Sequence, residues 1–322
     1  MNMQDFAQQV LEETESILSK KGLTCQVELT SVVKANDLVK SGICIRRSGT
    51  NAGPNLYFDR IYERYQTGEP LKDLVEELVD SFLEAEQHAH PDAEKLDMSF
   101  NAIQDMLRVR IVDMNSNRKY LQTVAHVKMP GIGLACIPEV RMEKADGFWS
   151  AVVTNDMAAA NDYGDPDVLG GIGLHNSLVN DPPKLCYLNN AIFDSINPCP
   201  NLLETDEPIE PEVLVLTSSS GQFGAYTMLA PDLLLSIAQR IGAFHILPSS
   251  RHEVILVPDS LGSDEDNLRC MVREANRSVV SPEDFLSDDV FAYSEAEGLR
   301  RCSETILKEK TQQSFVAERN WS

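Results

Sequence analysis

The segment "HILPSSRHEVILVPDS", His245–Ser260, brings nucleophilic, basic and acidic side chains together between two apolar runs. Ser249, Ser250, His252 and Glu253 lie close to one another within it. Serine hydrolases pair a hydroxyl with an imidazole that accepts its proton, and a carboxylate commonly orients that imidazole. One interpretation of the segment is therefore a hydrolase that uses Ser249 or Ser250 with His252, or with a more distant base.

The same residues are also typical of a turn between two strands. Proline and serine are common turn residues, and successive strand side chains point to opposite faces of a sheet rather than toward each other. The G-x-S-x-G pattern of a nucleophile elbow is absent. Leu256 stands where the zinc-binding H-E-x-x-H motif needs its second histidine. These observations favour a hairpin turn, which could still present Arg251 to a ligand.

A group of possible metal ligands, His88, His90 and Asp92, follows a predicted helix in a polar segment that contains a proline. Imidazole and carboxylate groups both bind zinc, so a metal site here is the weaker functional alternative. A solvated polar surface is the favoured interpretation. The sequence has no C-x-x-C pair, which argues against a structural zinc or redox site, and it indicates no cofactor.

Two further sets of residues are candidates for ligand contacts. Tyr57, Tyr62 and Tyr65 lie in an aromatic stretch with largely helical spacing, where they either pack inward with their hydroxyls in water or line a groove. Packing is the favoured interpretation. The stretch "GFWSAVVTND" is predicted to be a strand that ends in a helix cap, which Thr154, Asn155 or Asp156 could provide, and Asn155 is the second candidate for ligand contact.

The stretch "GGIGLHN", Gly170–Asn176, resembles a phosphate-cradling loop in composition. No strand immediately precedes it, and no Gly-Lys-Ser/Thr follows, so the motif is incomplete. Asp165 and Pro166 indicate the start of a helix instead. The glycines are therefore expected to loosen a helix or to form a loop.

The composition excludes some partners. The formal net charge is −22, which disfavours nucleic acid and anionic membrane surfaces as partners. No apolar run is long enough for a transmembrane helix. The seven cysteines are odd in number and scattered, which favours reduced thiols in a cytoplasm. The expected partner is an unidentified protein or small molecule, and the sequence indicates no oligomeric state.

The elements that must position these residues indicate an α+β fold. Residues 1–125 are predicted to form an N-terminal α+β subdomain that begins with a helix over Met3–Lys20. A middle segment, 126–200, and an acidic, proline-containing linker, 201–212, follow it. Residues 213–293 form the C-terminal subdomain, and 294–322 form a polar tail.

The C-terminal subdomain is predicted to be a doubled β-β-α unit. The first unit has strands Val213–Thr217 and Gly224–Leu229 and a helix over Pro231–Ile241. In the second, Ala243–Leu247 and Glu253–Val257 are strands, and Asp264–Asn276 is a helix. Hairpins are antiparallel, so the expected architecture has mixed or antiparallel sheets with packed helices rather than a parallel α/β sheet.

Four segments, in order along most of the chain, resemble a bacterial family of unknown function that is common in anaerobic gut Firmicutes. They are "NAGPNLYFDRIYERYQTGEPLKDLVEEL", "VVTND", "ILPSSRHEVILVPDS" and "MVREANRSVVSPEDFLSDDVFAY". The resemblance implies a bacterial, intracellular protein and implies no activity. Two features depart from it, the glycine and asparagine content of Asn161–Lys184 and the longer tail after Tyr293. With catalytic and cofactor motifs missing, the sequence favours a non-catalytic binding or protein-interaction module over the hydrolase and metal alternatives.

Overall fold

The computed structural model describes residues 2–48, 53–88, 97–144, 147–191, 199–248 and 250–302. The chain divides into two compact units, Met1–Ala102 and Ile103–Ser322. This division lies upstream of the boundary expected after residue 125. The expected middle and C-terminal segments both fall within the second unit.

The first unit packs helices on a small antiparallel sheet with the strand order β1-β2-β3. Its helices are α1 (Met3–Lys20), α2 (Asp59–Gln66), α3 (Leu71–His88) and α4 (Phe100–Ile103), the last of which reaches into the second unit. Its strands are β1 (Cys25–Val33), β2 (Val39–Arg47) and β3 (Asn55–Tyr57).

The apolar face of α1 explains how this core forms. Asn2 caps the helix by accepting a hydrogen bond from the Asp5 N–H at 2.8 Å, and the periodic Phe6 and Val10 are fully buried. They join Ile43 of β2 in one cluster with apolar residues of α2 and α3. The helix predicted over Met3–Lys20 is confirmed.

The second unit contains a four-stranded antiparallel sheet. Its strands are β4 (Leu107–Asp113), β5 (Val127–Met129), β6 (Leu134–Lys144) and β7 (Gly147–Val152). The long strand β6 pairs with β4, β5 and β7. Helices α5 (Asn155–Ala160) and α6 (Pro166–Asn180) follow, and α6 packs against β4.

A six-stranded antiparallel sheet forms the rest of this unit, with the order β13-β12-β10-β11-β9-β8. The strands are β8 (Pro183–Tyr187), β9 (Leu214–Ser218), β10 (Phe244–Leu247), β11 (Glu253–Pro258), β12 (Phe291–Ser294) and β13 (Gly298–Arg301). The helices are α7 (Leu188–Ala191), α8 (Pro231–Ile241) and α9 (Glu265–Ser278). Apolar side chains of this sheet, of α8 and of the four-stranded sheet share one core. The predicted α+β class is confirmed.

One predicted strand is wrong. Gly224–Leu229 forms a 3-10 helix, so only the second of the two expected hairpins, β10 and β11, exists. The backbone reverses at Phe223, whose φ of 55° is left-handed. Gly224 then lies so close to β9 that an added Cβ would come within 2.3 Å of the Ser218 nitrogen. Five residues of this turn are buried, which explains why an apolar run there mimicked a strand.

The acidic segment 201–212 contacts α8. Arg240 of α8 donates hydrogen bonds to the carbonyl groups of Leu202 and Glu207, each at 2.6 Å, and Ile209 is buried in the shared core. These contacts pack the segment onto the rest of the second unit, to which it belongs. Among the described residues, none of the helices combines the length and the apolar character needed to cross a bilayer.

Candidate functional site

In the turn between β10 and β11, the Ser250 hydroxyl forms a hydrogen bond within the turn itself. The Ser250 Oγ accepts a hydrogen bond from the His252 backbone N–H at 3.0 Å, and the Ser250 N–H donates to the Glu253 carbonyl at 3.4 Å. Ser249 lies outside the described residues. Glu253 begins β11 and pairs with Thr217 of β9. The Ser250 hydroxyl is therefore placed to stabilise the turn.

Both ring nitrogens of His252 have partners other than a serine. Its Nδ1 accepts the backbone N–H of Phe223 at 3.1 Å, so the proton of the neutral ring lies on Nε2. That Nε2 is 3.0 Å from the Asp284 Oδ1, and Arg251 donates to the same oxygen from Nε at 2.9 Å. A general base needs a free lone pair, and His252 has none to offer in this arrangement.

Next to His252, three arginines surround the ring of Phe223. The Cζ atoms of Arg110, Arg251 and Arg141 lie 3.9, 4.8 and 5.9 Å from the ring centroid. Burial lowers the pKa of Arg110, and the charge of Arg251 acts in the same direction. The fully buried Glu139 forms ion pairs with Arg110 and Arg141, and Asp284 pairs with Arg251. A third carboxylate, Asp181, lies 3.8 Å from the Arg141 Nη1, so each of the three arginines has a carboxylate partner within the fold.

The other sequence candidates are three tyrosines of the first unit and Asn155 at the start of α5. Tyr62 and Tyr65 pack against Phe6, with ring centroids 5.0 and 5.2 Å away, and the Lys34 Nζ lies 5.3 Å from the Tyr57 ring centroid. Asn155 donates from Nδ2 to the Gln122 carbonyl at 2.8 Å. Each of these side chains thus has a partner within the chain, and their role in ligand binding stays a prediction.

The proposed histidine metal site lies at the edge of what the structure describes. His88 ends α3, and its side chain lies outside the described residues. His90 and Asp92 also lie outside them. The site stays a prediction.

A polar cavity lies at the edge of the six-stranded sheet, between β10, β12, β13 and the start of α9. It has a volume of about 450 Å³. The cavity is lined by Ala243, His245, Asp259, Ser263, Asp264, Glu265, Ala292, Tyr293, Ser294, Glu297 and Arg300. Four carboxylates and one guanidinium face it, so its electrostatic potential favours a cation.

His245 is a buried ionisable residue of this cavity, with 9% of its surface exposed. It belongs to β10, so its neighbours in the strand belong to the core. Its Nδ1 lies 3.0 Å from the Asp259 Oδ1 but is not aligned for a hydrogen bond. On the other side of the ring, Nε2 is 3.7 Å from the Glu265 Oε1.

Glu265 and Cys302 complete a cluster around this imidazole. One possible ligand atom from each of His245, Glu265 and Cys302 lies within 4.8 Å of the other two. Burial and the Glu265 carboxylate raise the pKa of the Cys302 thiol to about 11. Burial alone would raise the pKa of Glu265, yet hydrogen bonds from Arg300 and Cys302 lower it.

This cluster could bind a metal ion or place a thiol beside a base. A nucleophilic cysteine needs access and a lowered pKa, whereas Cys302 is 1% exposed and its pKa is raised. Imidazole, carboxylate and thiolate are together the donor types of zinc sites. Sequence inspection missed the cluster because its members are far apart along the chain. The only local signal was a histidine within the apolar run "AFHIL".

Comparison with known proteins gives a family but no function. The model of a family of unknown function, DUF5688, matches residues 3–295. Neither the curated proteins nor the solved structures include a significant match.

Proposed function

We propose that this chain, which belongs to the family of unknown function DUF5688, is a non-catalytic binding module that holds a small cationic ligand in its polar cavity. The observation that carries the proposal is the pairing of a buried, poorly satisfied His245 with an excess of carboxylates around it. Few native proteins bury a polar nitrogen without a well-aligned partner unless a ligand or water completes its contacts.

The charge of the lining sets the ligand class. Asp259, Asp264, Glu265 and Glu297 carry negative charge, and Arg300 alone among the lining residues is always positive. Like charges held around a concave surface raise the local concentration of counter-ions. The negative electrostatic potential of the cavity repels an anionic ligand, so anions are expected to bind weakly.

The contacts of the serine-containing turn favour binding over hydrolysis. The two ring nitrogens of His252 contact the Phe223 N–H and the Asp284 carboxylate. The Ser250 Oγ accepts a hydrogen bond from the His252 backbone N–H within the turn. We therefore assign no catalytic role to this turn in the proposal.

The cellular setting is part of the same proposal. We place the protein in a bacterial cytoplasm, where thiols remain reduced. All seven cysteines lie among the described residues and none is in a disulfide, which supports this setting.

The test is calorimetric titration with a panel of small cations and anions. The panel contains Zn²⁺, Mg²⁺, putrescine and spermidine, with acetate and inorganic phosphate as anionic comparisons. The double variant Asp264→Asn/Glu297→Gln neutralises the rim of the cavity. The variant Asp232→Asn/Glu274→Gln makes the same charge change at exposed positions on α8 and α9.

Cations are expected to bind to the wild type and to the exposed-site variant with similar affinity, and more weakly to the cavity variant. An equal loss of cation affinity in both variants would show that the net charge of the protein, rather than the cavity, determines binding. That result, or the absence of heat from every cation, would overturn the proposal.

A further inference from the structure

We propose that His245, Glu265 and Cys302 form a binding site for a zinc-class divalent metal ion. The inference rests on the proposed function, because it names the cation that the cavity takes. Three elements supply the ligands, namely β10, the first turn of α9 and the residue after β13. The site is therefore built by the tertiary fold rather than by a local motif.

The separations suit metal coordination. Two ligands at about 2.0–2.3 Å from a tetrahedral ion lie roughly 3.3–3.8 Å from each other. The His245 Nε2 and the Glu265 Oε1 are 3.7 Å apart, so a small inward movement of one side chain brings the pair to the lower end of this range. The Cys302 Sγ lies within the 4.8 Å limit of the cluster, so a small side-chain rotation brings it to the ion.

The donor types select the kind of ion. Mg²⁺ and Ca²⁺ prefer oxygen ligands, whereas a thiolate and an imidazole favour Zn²⁺ and its spectroscopic substitute Co²⁺. A thiolate at Cys302 and a carboxylate at Glu265 would together neutralise a divalent charge. Three protein ligands leave one tetrahedral position for solvent or for a second ligand in the cavity.

The surroundings hold the ligands in place. The Asp259 Oδ1 lies 3.0 Å from the Nδ1 of His245, and a small rotation of either side chain would align the two groups. An aligned carboxylate keeps the proton on that ring nitrogen and leaves Nε2 for the ion, as in known metal sites. The Cys302 N–H donates to the Val290 carbonyl at 2.8 Å, and the Arg269 Nη2 donates to the Cys302 carbonyl at 3.0 Å. The backbone of this ligand is thus fixed on both sides.

The guanidinium of Arg300 lies beside two of the proposed ligands and would compete with a metal ion for them. Its Nη2 lies 3.2 Å from the Glu265 Oε1, and its Nη1 lies 3.5 Å from the Cys302 Sγ. The side chain is 44% exposed and already contacts Glu297, so it has another carboxylate to pair with. A metal ion would displace the guanidinium from Glu265, and removal of Arg300 should strengthen metal binding.

The experiment uses the full chain, freed of metal with a chelator and titrated with Co²⁺ under reducing conditions. Thiolate ligation gives a charge-transfer band in the near ultraviolet, and tetrahedral Co²⁺ gives intense visible bands. The wild type should show both, saturating at one ion per chain, and Zn²⁺ should bleach them by displacement. Cys302→Ser should lose the charge-transfer band, whereas Cys270→Ser, which alters an exposed cysteine, should keep it.

Four further variants, one of them a control, separate a metal site from a merely structural cluster. His245→Gln should abolish the visible bands, and His175→Gln on the exposed face of α6 should leave them unchanged. Asp259→Asn should weaken Zn²⁺ binding by about 10- to 100-fold. Arg300→Gln should tighten Zn²⁺ binding, an effect that a purely structural arginine would not produce. Circular dichroism of each metal-free variant checks that it is folded.

The outcomes distinguish this inference from the broader proposal. A wild type that binds polyamines but shows no charge-transfer band overturns the metal site and keeps the cation-binding module. A band that survives in Cys302→Ser overturns the assignment of this ligand set. The absence of binding by every cation overturns both.

Discussion

The Nε2 of His252 lies 3.0 Å from the Oδ1 of Asp284, and this contact joins the turn between β10 and β11 to the segment before β12. Arg251 donates to the same oxygen from Nε at 2.9 Å, and the Ser281 Oγ donates to the Asp284 Oδ2 at 2.8 Å. The Arg251 Nη2 lies 2.8 Å from that same Oδ1, so the contact is an ion pair as well. The Asp284 carboxylate thus links two side chains of a turn whose residue types resemble those of a hydrolase.

The first prediction concerns the loss of this carboxylate charge. Asp284→Asn should lower the free energy of unfolding by about 2 kcal/mol, because charge-assisted hydrogen bonds from Arg251 and His252 are weakened. Chemical denaturation at pH 7 measures the change. Glu295→Gln, at an exposed position in the turn after β12, is the matched control and should alter stability by less than about 0.5 kcal/mol. An Asp284→Asn protein as stable as the control would contradict the structural role.

The second prediction concerns pH. Burial alone would raise the pKa of Asp284, but hydrogen bonds from Ser281 and His252 and the charge of Arg251 hold it below its usual value. A carboxyl whose pKa is lower in the folded state stabilises the fold above its unfolded pKa, which is about 3.9. This contribution is lost as the pH falls through the folded-state pKa.

The difference in stability between the wild type and Asp284→Asn should therefore be constant above about pH 5 and shrink in more acidic solution. Urea denaturation at a series of pH values measures it. A difference that grows on acidification would mean that the pKa of Asp284 is raised by folding, contrary to the contacts described.

The third prediction concerns two glycines on helix α6. A Cβ added at Gly171 would meet no heavy atom within 4 Å, whereas one added at Gly173 would lie 2.8 Å from the Arg108 carbonyl oxygen on β4. Gly171→Ala should stabilise the protein by about 0.5–1 kcal/mol, because alanine restricts the unfolded chain. Gly173→Ala should destabilise it by about 1–3 kcal/mol, because helix and strand must separate.

Thermal and chemical denaturation of the two variants measure this contrast within one helix. If both substitutions stabilised the protein, α6 would not approach β4 as closely as described. If both destabilised it, the exposed position of Gly171 would be in error. The pair thus tests why a glycine-rich stretch forms a helix here.

The periodic elements could be predicted from the sequence, but the candidate site could not. The helix over Pro231–Ile241 and the hairpin of β10 and β11 follow from spacing and turn residues. Gly224–Leu229 was misassigned because a short apolar run has no period that separates a strand from a buried turn. Asp165 does cap α6, by accepting from the Asp167 N–H, as its position before Pro166 indicates.

The cavity cluster depends on long-range packing. His245, Glu265 and Cys302 meet only when β10, α9 and the end of β13 are in place. A search for closely spaced cysteines cannot find a site with one cysteine. A histidine in an apolar strand was the available signal, and alone it does not distinguish a metal ligand from a core residue.

The fourth prediction concerns Arg301, which precedes the proposed ligand Cys302. Its Nη2 lies 2.8 Å from the Oδ2 of the buried Asp113, and its Nε donates to the Asp289 Oδ2 at 2.8 Å. Arg301→Gln leaves the Asp113 carboxylate without its cation and should cost about 3 kcal/mol of unfolding free energy. The neighbouring Arg300 has more exposed partners, so Arg300→Gln should cost less than about 1 kcal/mol.

The two variants make the same charge change at adjacent positions, and denaturation in urea compares them directly. Both should be measured without metal, because Arg300→Gln is also expected to tighten Zn²⁺ binding.

Since Arg301 holds β13 against Asp113 and Asp289, its loss should also make the Cys302 thiol react faster with a disulfide reagent. Equal stability of the two variants would show that the buried pair with Asp113 adds nothing beyond an exposed ion pair. Unchanged thiol reactivity in Arg301→Gln would show that Cys302 is positioned by its backbone contacts with Val290 and Arg269 alone.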